Sequence, residues 1–234
     1  MTDMTLDTTT QFADLIRTGK SAEALPEIEQ HLSLAPRDDR LWALLGQAHF
    51  HVNQFSQAVN ALREALRLRP DHTAYCGDLG IALRADGRVA EAEALLREAI
   101  RRDGTNPLTR FALGNLFVSQ RRHEEAISAF GSILVKMPNF FPALENLASL
   151  FAEIGRLADA LKLIETALQR APNDHRLYSM LAIILDKGGN QHAALEVTLK
   201  AITLDPPQTL DMRLASFMSL TGRTGRLDLR QQVM

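Results

Sequence analysis

The side chains that could do chemistry in this 234-residue chain are few and scattered. Seven histidines stand at His31, His49, His51, His72, His123, His175 and His192. A helical metal site needs its ligands on one face, as a His-x3-His pair supplies, and no such pair is present; His49 and His51 project from different sides of one helix. The single cysteine, Cys76, excludes an internal disulfide and any zinc site built on several thiolates. Two glycine clusters invite comparison with phosphate cradles. Gly77-x2-Gly80 lies inside a helical pattern and reads as packing, whereas Gly222 to Arg226 lacks both the preceding strand and the lysine of a phosphate loop. No catalytic constellation forms, so the expectation is a protein that is not an enzyme and that carries no metal and no cofactor.

Composition narrows the classes further. Lysine and arginine total 26 against 28 acidic residues, a net charge of -2, without the cationic surplus that phosphate neutralisation demands; no nucleic-acid partner is expected. No stretch approaches the ~18 uninterrupted apolar residues of a membrane span, so no membrane insertion is expected. The segment 1–14 is polar and acidic rather than basic and then apolar, which points away from a signal peptide and towards a cytoplasmic location. Thirty-one alanines suit closely packed helices better than strands.

What would position any functional side chain is a repeat. Alanines at Ala24, Ala58, Ala92, Ala126, Ala160 and Ala194 stand 34 residues apart, and prolines at Pro36, Pro70, Pro138, Pro172 and Pro206 share that period, with Gly104 in the missing phase. Six units follow, 5–38, 39–72, 73–106, 107–140, 141–174 and 175–208, each reading as two amphipathic helices. In the second unit the pattern predicts helices over residues 40–52 and 56–69 around a turn at Asn53-Gln54-Phe55. Gly19, Gly87, Gly155 and Gly189 fall at the corresponding turn of other units and free the backbone to leave the first helix. Gly46, Gly80 and Gly114, with Ala58, Ala92 and Ala126, mark where the two helices of a unit cross most closely. Ala65, Ala99, Ala167 and Ala201 let the next unit dock. Such hairpins cannot bury their apolar faces alone, so the units must stack.

Trp42, Leu45, Gly46, Ala58, Ala65 and Pro70 together resemble the tetratricopeptide repeat family, over residues 5–208. The resemblance implies an all-α fold, a right-handed α-solenoid of about six helix-turn-helix units. Residues 209–234 read as a partial seventh unit, with a capping helix over 210–220. The 35-residue RNA-reading pentatricopeptide repeat fits worse, because the period holds at 34. The first unit departs most: Gln11 and Phe12 stand where leucine and a small residue are expected, and Pro26 lies near the start of its second helix. Cys76 takes the place of Trp42, a position inside the repeat core, so a buried and inert thiol is expected.

In the family, the first helix of each unit lines a concave groove. The corresponding positions here include Leu44, Phe50, His51 and Ile81, and the partner-binding candidates are Arg40, Gln47, Asp78, Arg84, Phe111, Asn115, Asn146, Ser149, Arg176 and Met180. Apolar and polar groups mix, as suits an extended or helical peptide. The carboxylate clamp of chaperone-binding members is approached in one register only, by Phe111, Asn115, Asn146, Arg176 and Met180, with two of its three cations missing. The asparagine ladder of repeat-containing glycosyltransferases is matched at Asn146 alone. The expected function is therefore an interaction scaffold or adaptor that holds a protein or peptide in the groove. Two alternatives stand beside it. One is an N-terminal recruiting or regulatory arm of a larger enzyme of glycosyltransferase or methyltransferase type; the other is a homo-oligomer formed through the solenoid ends, by Leu214, Phe217 and Met218. The arginine-rich ends of the second helices, interleaved with glutamates, read as a solvated face.

Overall fold

Helix boundaries recur with the period of the sequence. The fold was obtained as a computed structural model, which describes residues 3–204. Among these there are helices and turns and no strand. The helices are α1 (Asp3–Arg17), α2 (Ser21–Leu34), α3 (Asp39–His51), α4 (Phe55–Leu68), α5 (Thr73–Ala85), α6 (Val89–Arg102), α7 (Pro107–Ser119), α8 (His123–Lys136), α9 (Phe141–Glu153), α10 (Leu157–Arg170), α11 (His175–Lys187) and α12 (Gln191–Thr203). First helices start at residues 39, 73, 107, 141 and 175, and second helices at 55, 89, 123, 157 and 191, each 34 after the last. The result is an all-helical tetratricopeptide-type solenoid. The capping helix expected over 210–220, and the end contacts of Leu214, Phe217 and Met218, lie outside the described residues.

Local chemistry sets the boundaries. The Asp38 side chain accepts from the N–H groups of Arg40 and Leu41, so α3 begins at Asp39, one residue before the expected start. Asn106 and Asp174 cap α7 and α11 in the same way. The second helices α2, α4, α8 and α10 stop two residues before their prolines, because the residue preceding a proline is pushed out of the helical region. Ala35, Arg69 and Ala171 show it, with φ between -130 and -135 and ψ between 64 and 81.

Every described turn between paired helices needs a left-handed residue. Gly19, Gly87, Gly155 and Gly189 have φ of 79 to 82, and the N–H after each bonds back to a carbonyl five residues earlier, as from Arg88 to Leu83 at 2.8 Å. The same place is held by Asn53 (φ 62) and Arg121 (φ 57), where no glycine is available. The turn geometry is therefore common to all six pairs, although only four carry glycine.

The chain forms two compact units, Met1–Ala129 and Phe130–Met234. In the first, Gly46 and Gly80 sit where paired helices touch. A Cβ on Gly46 would lie 2.5 Å from Leu62 Cγ, and one on Gly80 would lie 2.6 to 2.8 Å from three carbons of Leu96. Gly77 faces the α7 backbone at Leu108, so the Gly77-x2-Gly80 pair is packing on both sides of α5. The first crossing differs. Phe12 stands where the others carry a small residue, yet it is only 1 % exposed and clusters with Ala24, Ile28, Leu32 and Leu44. Its ring meets His31 edge-on at 5.2 Å. In the second unit, Leu144, Leu147, Leu150, Ile164, Leu177 and Leu195 form the buried apolar set around Ala148, Ala160, Ala182 and Ala194.

Hydrogen bonds between adjacent helix pairs repeat the 34-residue logic. Tyr75 Oη donates to Asp39 at 2.6 Å, Thr109 Oγ1 to the Thr73 carbonyl at 3.0 Å, and Ser56 Oγ to Asp86 at 2.6 Å. Burial and the Asp39 carboxylate push the Tyr75 phenol well above its ordinary pKa.

Candidate functional site

First helices present the face expected to bind. In the unit Met1–Ala129, α3, α5 and α7 lie side by side. Gln47 on α3 donates through Nε2 to Asp78 Oδ2 on α5 at 2.8 Å, so the structure joins two of the predicted residues directly. Phe50, His51 and Ile81 surround this pair, and Leu62 of α4 forms part of the wall of a depression of about 240 Å³. Burial raises the Asp78 carboxyl above its ordinary pKa; the Gln47 hydrogen bond and the nearby His72 oppose that rise. Arg84, further along α5, is half-buried, and its Nε has no hydrogen-bond partner. Phe111 and Asn115 on α7 are half-buried and are both engaged by neighbours. Arg40 is exposed at the start of α3.

One expected groove residue does not reach the face. Leu44 is 9 % exposed and belongs to the core with Phe12, Ile28 and Leu45. Ala112, two units further on in α7, is buried at the equivalent position; the leucine is drawn inward because its apolar surface gains from leaving water.

Of the remaining candidates, Asn146, Ser149, Arg176 and Met180 lie on α9 and α11 of the unit Phe130–Met234. Ser149 is exposed, Met180 is half-buried and Asn146 is half-buried and engaged. Arg176 pairs with Asp174 at 2.8 Å, and its guanidinium lies 3.5 Å from the centre of the Phe141 ring. Those bonds hold the Asp174 carboxyl below the usual range. The cation that would serve a carboxylate clamp is therefore already occupied. The Phe141 stack had no local signal, because it joins residues of α9 and α11 that are 35 positions apart in the chain.

The opposite, second-helix face is spent on ion pairs. Arg63 pairs with Glu91, Arg97 with Glu93 and Glu125, and Arg122 with Glu93 at 2.8 Å. Arg122 also covers the Phe117 ring, 4.4 Å from its centre. Such exposed pairs are each worth ~0–1 kcal/mol, and they leave little free positive charge. Cys76 is 6 % exposed beside a cavity of about 590 Å³ near Leu66 and Leu95, and burial pushes its thiol up, which disfavours the reactive thiolate. Among the described residues, no group of three His, Cys, Asp or Glu is placed to hold a metal ion, and no helix is long and apolar enough to cross a membrane.

Comparison with known proteins places these features. The family model for the cytochrome c-type biogenesis protein H TPR domain matches residues 27–142, and two tetratricopeptide repeat models match 117–184 and 175–208. Among curated relatives, the cytochrome c-type biogenesis protein CycH of Rhizobium meliloti is 31% identical over 56% of this chain and 35% of its own length. Protein FlbA of Caulobacter vibrioides is 27% identical over 92% of this chain and 36% of its own. The N-terminal acetyltransferase A complex auxiliary subunit NAA15 of Arabidopsis thaliana is 25% identical over 70% of this chain. The chain spans 18% to 36% of the length of these three relatives. The solved structure of PilW, a type IV pilus biogenesis factor, superimposes with a TM-score of 0.67 at 21% identity, covering 92% of this chain and all of that one. Yeast Tom70 superimposes with a TM-score of 0.70 at 16% identity, covering 89% of this chain and 44% of its own. Those structural likenesses carry the fold alone. With family matches running from residue 27 to residue 208 over helices that restart every 34 residues, the chain belongs to the tetratricopeptide repeat family.

Proposed function

We propose that this protein is a scaffold or adaptor whose first helices hold an extended segment of a partner protein. The carrying observation is the depression around Gln47 and Asp78: polar groups for a peptide backbone or side chain stand there among the apolar flanks of Phe50 and Ile81. The second-helix side has an opening too, of about 590 Å³ beside Leu66 and Leu95, but the charged groups at its rim, Arg63, Arg67 and Glu98, are already matched in ion pairs. The family match and a relative named for cytochrome c-type biogenesis support a role in handling polypeptides of a larger assembly.

Photo-crosslinking residues placed at Ile81 and at Glu64 decide between the two faces. Adducts with a partner from Ile81, weakened by Asn115→Ala or Asn146→Ala while helicity is unchanged, support the reading. Adducts from Glu64 alone overturn it.

A recruiting arm of a larger enzyme remains the second reading. It is favoured by the Drosophila melanogaster protein O-mannosyl-transferase Tmtc3, 25% identical over 150 residues, of which this chain covers 16%. An immunoblot of the native protein in cell extract reads its length directly. The expected cytoplasmic location is tested by cell fractionation. Relatives named for biogenesis of cytochromes and pili lend it no support, and recovery in an envelope fraction would replace it. Homo-oligomerisation is tested by sedimentation over a range of concentrations.

A further inference from the structure

Asp78 is an acid without a counter-ion in a place where one is expensive to leave alone. It is half-buried on α5, and Gln47 Nε2 donates to its Oδ2; it forms no ion pair with any described residue. Several partly buried carboxylates on these helices are matched by a cation: Asp39 by Arg69, Glu93 by Arg97 and Arg122, Asp174 by Arg176. A carboxylate withdrawn from water without a cation loses hydration that nothing repays. The chargeable groups facing it are histidines. His72 bears on it electrostatically, and His51 lines the same depression; neither makes an ion pair with it. Arg84 lies six residues on, about 9 Å further along the α5 axis, and makes no hydrogen bond to Asp78. The walls are the apolar flanks of Phe50, Leu62 and Ile81. Lysine and arginine bury their methylene stems on such surfaces while the charged head seeks a partner.

We propose that this depression takes a lysine or arginine side chain from an extended segment of a partner protein, its stem against Phe50 and Ile81 and its cation on the Asp78 carboxylate that Gln47 holds in place. This rests on the first-helix face being the binding face, and it names the chemistry of the anchor. Charge complementarity selects the occupant: a neutral or acidic side chain would leave Asp78 unpaired and further desolvated.

The test is selection of short displayed peptides against the full chain. Wild-type binders should carry lysine or arginine at one fixed position. Replacing that residue by norleucine should weaken binding about tenfold or more, as truncating one partner of a buried charge pair does. Asp78→Asn keeps an acceptor for Gln47; it should weaken the basic peptide equally and leave the norleucine peptide unaffected. Binders that respond to Phe50→Ala or Ile81→Ala but show no basic preference overturn the anchor and leave the groove standing. Binders indifferent to Phe50→Ala and Ile81→Ala, or no binders at all, overturn both. The norleucine comparison uses wild-type protein, so it decides even where a variant fails to fold.

Discussion

Two glycines inside helices of this fold should respond to the same substitution with opposite signs. Gly131 lies within α8, and a Cβ built there meets nothing within 4 Å. Gly131→Ala therefore gains the helix propensity of alanine, about 1 kcal/mol. Gly80 lies within α5, where the new methyl would stand 2.6, 2.7 and 2.8 Å from Cδ2, Cγ and Cδ1 of Leu96. Ordinary carbon contacts are ~3.5–4.0 Å, so one side must move by about 1 Å. Leu96 has no exposed surface and cannot swing into solvent. Overpacking of this kind costs ~1–3 kcal/mol, which outweighs the same propensity gain and leaves Gly80→Ala destabilised by about 1 kcal/mol. The two variants should thus differ by ~2 kcal/mol, or roughly 4–8 °C in melting temperature for a chain of this length. Urea and thermal unfolding followed by helical circular dichroism measure both. A double-mutant cycle isolates the cause. With Leu96→Ala as background, the methyl enters the space that leucine vacated, and Gly80→Ala should become favourable. The reasoning fails if Gly80→Ala is as stable as wild type, or if its penalty is unchanged when Leu96 is gone.

Arg121→Gly should stabilise the protein by ~0.5–1 kcal/mol, because a left-handed backbone is strained for arginine and free for glycine; a lower melting temperature would refute it. Ala126→Leu should cost ~1–3 kcal/mol, since Ala126 has no exposed surface at its helix crossing; an unchanged urea midpoint contradicts the packing. Asp78→Asn should raise stability near neutral pH. Burial lifts the folded carboxyl above its unfolded pKa, so the folded state binds more protons between the two values and stability falls as pH rises through that window. The advantage of the asparagine should vanish in acid below the ordinary carboxylate range, and a pH-independent difference would dismiss the titration as its source.

A charge-poor, repeat-rich chain of this kind concentrates its specificity in a few side chains. The pairing of second-helix arginines with glutamates removes the most conspicuous charge in the sequence from consideration as a patch. On α5, Asp78 and Arg84 each lack an ion pair among the described residues, and Phe50 and Ile81 offer half-buried apolar flanks beside Asp78. Selectivity for a partner is then a matter of matching isolated charges on a mixed surface, which favours on-rate and register over raw affinity.

Spacing alone was enough to read the helix pairs. Small residues every 34 positions are required wherever two backbones approach, and prolines on the same period displace the preceding residue from helical geometry, so both leave a local record. That record missed by one residue at α3, where the Asp38 cap decides the start. It placed the turn at Asn53 but not its left-handed backbone, nor that of Arg121, which are imposed by the helices they join rather than chosen by their own side chains. Leu44 went inward against expectation, into the apolar cluster that it forms with Phe12, Ile28 and Leu45. The candidate site followed the same division. Periodicity put Gln47, Asp78 and Arg84 on one set of helices, but only the folded chain determined that Asp78 would lie half-buried with a glutamine and without a cation, and that Arg176 would be held by Asp174 and Phe141. The ion pairs that cross between helices, such as Arg63 with Glu91 and Arg122 with Glu93, join side chains some thirty residues apart, and no pattern along one helix encodes that meeting.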